Sequence, residues 1–143
     1  MLGYLSELYH TYILPDERFY YLALIKEHNN SISIHGLWPQ TNKDSYPSFC
    51  RNVDFDMKEL TPMIDKLNKY WYSDCEKNDD FWKHEYQKHG SCMFKKMTEF
   101  EYFNKTLELY ESALKTDKIK LYLKKYPNSK TIKLQVDLNF NLI

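Results

Sequence analysis

Three of the five histidines in this 143-residue chain fall in two short segments, Ser31-Ile-Ser-Ile-His-Gly-Leu-Trp-Pro-Gln40 and Phe81-Trp-Lys-His-Glu-Tyr-Gln-Lys-His-Gly-Ser-Cys92. An imidazole titrates close to neutrality, so it can give or take a proton at working pH. If Phe81 to His89 is helical, steps of about 100° per residue place Phe81, His84, Glu85, Lys88 and His89 within an arc of about 140°. Lys83 and Gln87 fall on the opposite side. Such a helix presents two imidazoles, a carboxylate and an ammonium to one place, which suits moving protons around an anion. In the first segment Ile32 and Ile34 alternate with Ser33 and His35, so His35 points away from the isoleucines, and Gly36-Leu-Trp-Pro39 is expected to break the strand just beyond it. His35 joins the helical set only if the helix packs near that strand end. A zinc site is the competing chemistry, because His-Glu on a helix is part of a metalloprotease pattern. That pattern spaces its histidines by four, whereas His84 and His89 are five apart and Lys88, a cation, stands where the second ligand should be. No metal or other cofactor is expected.

The elements that must position these residues follow from hydrophobic spacing. Leu60, Ile64, Leu67 and Trp71 share one face of a helix expected over Asp56 to Tyr72. Thr98 and Glu101 form a capping-box pattern opening a helix to Leu114, with Phe103, Leu107, Tyr110 and Leu114 in one stripe. A shorter helix is expected over Asp117 to Lys125, stopped before Pro127. Phe19 to Ile25, Ser31 to Leu37 and Thr131 to Leu138 read as strands. In the last, Ile132, Leu134, Val136 and Leu138 alternate with Lys133, Gln135 and Asp137, the period of a half-solvated antiparallel strand. Strands at both ends with helices between imply an α+β fold, a central antiparallel sheet with helices packed on one side.

Composition excludes several alternatives. With 43% hydrophobic residues and 24 aromatics (13 Tyr, 8 Phe, 3 Trp), the chain is neither collagen-like, linker-like nor disordered. No repeat or linker-like stretch divides it, so residues 1–143 are expected to form a single domain. Twenty basic residues balance twenty acidic ones, so an anionic ligand must be met locally rather than by net charge. The longest apolar run, Phe19 to Ile25, is far short of the ~20 residues of a membrane span, and no membrane partner is expected. Met1 to Glu17 lacks a basic n-region and its apolar residues are interrupted by Glu7, His10 and Asp16, so it does not read as a signal peptide. Three cysteines, Cys50, Cys75 and Cys92, allow one internal disulfide or three reduced thiols.

Ser33-Ile-His-Gly-Leu-Trp-Pro-Gln40 and Phe81 to Cys92 together resemble the two active-site segments of the ribonuclease T2 family, in the family's order and at about its usual separation. Phe19 to Leu24 is similar to the family's first core strand, Tyr102 to Tyr110 to its next helix and Val136 to Ile143 to its final strand. The resemblance implies a ribonuclease T2-like fold and an endoribonuclease that cleaves single-stranded RNA without metal, through a 2′,3′-cyclic phosphate. It implies that His89 is the base for the 2′-hydroxyl, His35 the acid for the leaving oxygen and His84 a phosphate ligand, with Glu85 and Lys88 assisting the transition state. For Glu85 a surface ion pair with Lys88 or Lys83 is the alternative. Trp38, Tyr46 and Phe81 match the family's base-binding positions, where ordinary core packing competes, and Gln40 stands where some members carry an acid.

The same resemblance pairs Cys50 with Cys92 and leaves Cys75 without its usual partner. It further implies a member shortened at both ends and between Leu114 and Thr131, with Gln135 in place of a cysteine. Secretion or a vesicular lumen is the family habit; the sequons Asn29-Asn30-Ser31 and Asn104-Lys105-Thr106 would permit glycosylation. A monomer is expected. The alternative from another class is a catalytically weak RNA-binding or signalling protein that keeps the fold. Only three glycines are present, and two follow His35 and His89 directly. Gly36 and Gly90 are therefore expected either to leave room for an RNA phosphate or to let the backbone turn after each imidazole.

Overall fold

A computed structural model describes residues 15–143; Met1 to Leu14, and with them most of the segment read for a signal peptide, lie outside the described residues. Three antiparallel strands, β1 (Phe19–Lys26), β2 (Ile32–Gln40) and β3 (Thr131–Val136), form a sheet in the order β2-β1-β3. Tyr20, Leu22 and Leu24 of β1, Ile34 and Leu37 of β2, and Ile132, Leu134 and Val136 of β3 are buried on one face. The expected alternation of β3 is present, with Lys133 and Gln135 exposed between buried neighbours. The strand stops at Val136 rather than Leu138 because Asp137 accepts the backbone N–H groups of Asn139 and Asn141, which turns the chain.

The second strand differs most from expectation. It does not break after His35 but runs on through Gly36, Leu37, Trp38 and Pro39 to Gln40. Ala23 pairs with Gly36 and Leu24 with Ile34, so His35 is the unpaired extra residue of a β-bulge. Pro39 is tolerated because β2 is an edge strand. The Leu37 carbonyl faces away from β1, accepting the Tyr102 hydroxyl, and Pro39, two residues on, faces the same way.

Among the described residues, four helices and two short 3₁₀ segments accompany the sheet: α1 (Ile64–Tyr70), α2 (Asn78–Lys88), α3 (Glu99–Leu114) and α4 (Lys118–Lys125), with 3₁₀ turns at Met57–Met63 and Gly90–Cys92. The single helix expected over Asp56 to Tyr72 is thus a 3₁₀ segment followed by a short α-helix. Pro62 has no N–H to donate and its ring excludes the carbonyl four residues back, so a continuous α-helix cannot pass through it. Leu60, Leu67 and Trp71 are buried nonetheless. Helix α3 opens on the expected capping box, Thr98 and Glu101 exchanging side-chain to backbone bonds. Its tyrosines also close the open edge of β2: Tyr102 donates to the Leu37 carbonyl and Tyr110 to the Ile32 carbonyl. Leu114, expected in the core stripe, is exposed at the helix end.

Cys50 and Cys92 form a disulfide across 42 residues, while Cys75 is free and exposed. Closing a loop of that size stabilises the fold by about 3–4 kcal/mol in the chain-entropy account. The bond is reinforced locally, since Phe49 donates its N–H to the Lys88 carbonyl and Cys50 donates to Ser91 Oγ. The loop after β2 is thereby fastened to the C-terminal end of α2. No helix among the described residues is long and apolar enough to cross a membrane.

Candidate active site

The bulge in β2 decides which side chains can meet. His35 and Trp38 are three residues apart, and a regular strand would put them on opposite faces. The extra residue shifts the parity, so that Leu37 turns to the core opposite Leu22 while Trp38, like His35, lines a cavity of 690 Å³ on the other side. Helix α2 supplies the facing wall. It is anchored by Trp82, whose indole N–H donates to the Trp71 carbonyl at 2.6 Å, and by buried Phe81 and Tyr86. That anchoring turns Glu85 toward Gly36. A Cβ at Gly36 would lie only 2.6 Å from Glu85 Oε2 and 2.7 Å from Trp38 Nε1, so any other residue here would force one of these side chains to shift.

Glu85 is the hub. Its side chain is 3% exposed, Oε1 stands 3.1 Å from His35 Nε2, and Oε2 accepts the Trp38 indole N–H at 3.0 Å. Oε2 also stands 3.8 Å from His89 Nε2. The surface ion pair considered for Glu85 is therefore not its arrangement: the buried carboxylate lies between two imidazoles. The His89 ring stacks on Trp38 at 5.2 Å, and the His35 ring meets the edges of Trp38 and Phe81 at 4.9 and 5.6 Å. Burial draws His89 down to a pKa of about 4; the charges of Lys88, His35 and His84 push the same way and the Glu85 carboxylate only partly opposes them. His89 is the residue that caps α2, its N–H donating to the Glu85 carbonyl.

All nine residues picked out for binding or catalysis, His35, Trp38, Gln40, Tyr46, Phe81, His84, Glu85, Lys88 and His89, line this cavity. They are not equally placed. Phe81 is mostly buried, whereas Tyr46 is 53% exposed, with the Lys88 ammonium 5.7 Å from its ring centre. Gln40 is buried and spends its amide N–H groups on the Asn42 and Ser45 carbonyls, holding the turn after β2. His84 is exposed, its ring 6.3 Å from that of Phe49.

Among the lining residues that were not foreseen, Lys133 of β3 places its ammonium 5.9 Å from the Trp38 ring centre and 5.6 Å from that of Tyr21 on β1. The alternation of β3 showed that Lys133 turns away from the core, but the continuous apolar run of β1 gave no such sign for Tyr21, and only the pairing of β1 with both other strands puts the two beside Trp38. Among the described residues no three His, Cys, Asp or Glu side chains are grouped to hold a metal ion.

Gly36 and Gly90 do not serve the purposes expected of them. Neither has a positive φ, so neither is needed for a left-handed turn, and a Cβ on Gly90 would meet Tyr86 at 2.6 Å and Tyr102 at 3.3 Å inside the core. Both glycines serve close packing of the protein against itself.

The α+β fold holds a buried carboxylate between a strand imidazole and a helix-end imidazole, groups whose chemistry allows proton exchange. The chain belongs to the ribonuclease T2 family, whose sequence profile matches residues 13–136. It is 35% identical over 115 residues to ribonuclease DdI of Dictyostelium discoideum, covering 76% of this chain and 49% of that protein. To extracellular ribonuclease LE of Solanum lycopersicum it is 36% identical over 81 residues, covering 53% of this chain and 35% of that protein. The chain thus spans about half or less of these curated relatives. The fold matches that of ribonuclease MC1 from the seeds of bitter gourd with a TM-score of 0.70 at 17% identity, over 88% of this chain and 93% of the other. A mutant of ribonuclease MC1 in complex with 5′-UMP matches with a TM-score of 0.71 at 16% identity, over 90% of this chain and 93% of the other.

Proposed function

We propose that this protein is a metal-independent endoribonuclease acting on single-stranded RNA. The observation that carries the reading is Glu85, a buried carboxylate with an imidazole on either side, one buried and one partly open to solvent. In the proposed reaction neutral His89 takes the proton of a 2′-hydroxyl and the 2′-oxygen attacks the adjacent phosphorus. The bond from phosphorus to the 5′-oxygen then breaks, and the His35 imidazolium gives its proton to the departing oxygen. The products are a 2′,3′-cyclic phosphate and a 5′-hydroxyl. The low pKa of His89 suits it to the base role, because it is unprotonated over most of the working range. Its Nδ1 has no hydrogen-bond partner among the described residues.

In this reading Glu85 orients both imidazoles, and the Lys88 ammonium offsets charge that accumulates on the phosphorane. His84, exposed at the rim, holds a phosphate oxygen. Trp38, Tyr46 and the edge of Phe81 receive bases, Trp38 doing so beside the stacked His89 ring. Secretion or a lumenal location is part of the same proposal, supported by the Cys50–Cys92 disulfide and by a relative named as an extracellular ribonuclease. The protein is proposed to act as a single-domain monomer.

Incubation with single-stranded RNA in excess EDTA across acid to neutral pH tests the reading. The expected result is fragments ending in 2′,3′-cyclic phosphate, with no loss of rate on adding EDTA. Absence of such ends overturns it, and inhibition by EDTA restores a metal-dependent reading.

A further inference from the structure

The balanced total charge hides a strongly uneven distribution. Between Lys115 and Lys133 the chain carries seven lysines and one acidic residue, Asp117. The helical part of this segment is α4, which has no fully buried residue: Ile119, Tyr122 and Leu123 rest half-buried on the core, while Leu121 is 61% exposed and Tyr126, just past the helix end, 46%. Beside it runs an open groove of 480 Å³ between α4 and the non-core face of β1 and β3. Four lysines line it, Lys43, Lys118, Lys125 and Lys133, and no Asp or Glu side chain does. The wall also carries aromatic rings. Tyr122 and Tyr126 sit 4.8 Å apart, and the Lys125 ammonium lies 5.4 Å from the Tyr126 ring centre.

This groove is not separate from the candidate active site. Tyr21, Lys43 and Lys133 line both, and the Lys133 ammonium lies near the ring centres of both Trp38 and Tyr21, at 5.9 and 5.6 Å. A polyanion passing the two histidines therefore finds, next to them, ammonium groups spaced along tyrosine faces. Lysines meet phosphates as point charges, and exposed rings give any base a surface to stack on, which is the equipment of sequence-tolerant binding to single strands. An acidic peptide would use the lysines but has no use for solvent-facing aromatic rings continuous with a phosphate-handling site.

We propose that the groove between α4 and β3 is an extension of the RNA-binding surface, holding nucleotides of a single strand beyond those at the scissile phosphate. The proposal rests on the ribonuclease reading of the adjoining site. It makes the enzyme prefer long single strands over short ones through KM, while the chemical step stays with the two histidines.

The test uses the full chain and the variant Lys118→Ala/Lys125→Ala/Tyr126→Ala, all outside the catalytic cavity. Steady-state cleavage is measured on a dinucleoside phosphate and on a single-stranded RNA about 16 nucleotides long. The variant is expected to cleave the dinucleotide at the parental rate and the longer RNA with kcat/KM reduced about 10-fold, nearly all of it in KM. Equal loss on both substrates, or loss on neither, overturns the proposal.

A second arm measures binding of a 2′-O-methyl RNA of the same length by fluorescence anisotropy at several salt concentrations. This arm does not depend on cleavage, so it decides the matter even if the parent protein cuts neither substrate. Removing two phosphate contacts should lower the slope of log affinity against log salt by about 1.4. An unchanged slope and affinity overturn the groove. The control Lys58→Ala/Lys96→Ala removes the same charge elsewhere on the surface and should leave both arms at parental values; an effect equal to that of the groove variant would reduce the finding to bulk charge and overturn it.

Discussion

The two His-Gly pairs are identical in sequence and opposite in structure. His35-Gly36 sits in an edge strand, where the bulge frees His35 from pairing and leaves its side chain 36% exposed. His89-Gly90 closes a helix, and its imidazole is 7% exposed beneath the Trp38 ring. One imidazole keeps contact with water and an ion-pair distance to Glu85. The other is held in surroundings that disfavour its charged form. Environment, rather than residue type, is what divides an acid from a base when both are histidine. The glycines differ likewise: Gly36 lets Glu85 and Trp38 close over the strand, and Gly90 lets the core rings Tyr86 and Tyr102 close over the helix end.

The largest effects are expected where each imidazole is removed. His35→Ala and His89→Ala should each lower kcat on single-stranded RNA by about 10²-fold to 10⁴-fold, with thermal unfolding showing that both variants remain folded. Near-normal turnover in either would break the pairing of acid and base. A sharper measurement is the pH profile. With the free-enzyme base at about 4, the acid limb of kcat/KM should lie near that value rather than near the ~6.5 of an ordinary imidazole. A limb at the ordinary value would remove His89 from the base role.

The same burial has a consequence for stability. Unfolding returns His89 to its ordinary pKa, so between that value and about 4 the unfolded chain binds the proton first. The folded state is thus disfavoured progressively as pH falls through this window, by up to about 3 kcal/mol below it. Glu99 acts in the opposite sense: burial pushes its carboxyl up to about 7, so its favourable contribution is present at low pH and lost as pH rises toward that value. The effect of His89 is therefore read as the stability of the parent relative to His89→Gln, in which the parent should gain by up to about 3 kcal/mol as pH rises through the window. A difference independent of pH would contradict the burial of the imidazole.

Much of the molecule was legible in the sequence because it is local. The arc of α2 follows from helical period alone, the capping box of α3 from two residues three apart, and the alternation of β3 from its own pattern. Pro62 was equally visible, and its effect on the helix after Asp56 follows from the missing N–H. The bulge at His35 was not legible. It exists only as a mismatch between two paired strands, Ala23 with Gly36 and Leu24 with Ile34, and nothing in β2 by itself records it. Yet that one extra residue puts His35 and Trp38 on the same side. Lys133 and the basic groove were hidden for the same reason: their neighbours are set by sheet order, and the seven lysines near α4 vanish into a net charge of zero.

Alanine at each glycine gives the finest separation of the two pairs. At Gly36 the new methyl would fall 2.6 Å from Glu85 Oε2 and 2.7 Å from Trp38 Nε1, the two atoms that share a hydrogen bond. A carboxylate is the end of a flexible side chain, but this one is buried and fixed by His35 as well, so it cannot retreat without loosening that contact. At Gly90 the methyl would meet the Tyr86 and Tyr102 rings, which pack on each other and on Phe103 in the core. Both substitutions overpack a close contact and should cost about 1–3 kcal/mol of stability by denaturant unfolding. They should part in catalysis. Gly36→Ala displaces the carboxylate proposed to orient both histidines and should lower kcat by about 10-fold to 100-fold, whereas Gly90→Ala should leave kcat of the folded protein within about 3-fold of the parent. Parental kcat in Gly36→Ala would mean that the Glu85 to Trp38 contact does not hold the site, and an equal loss in both would erase the distinction between the two glycines.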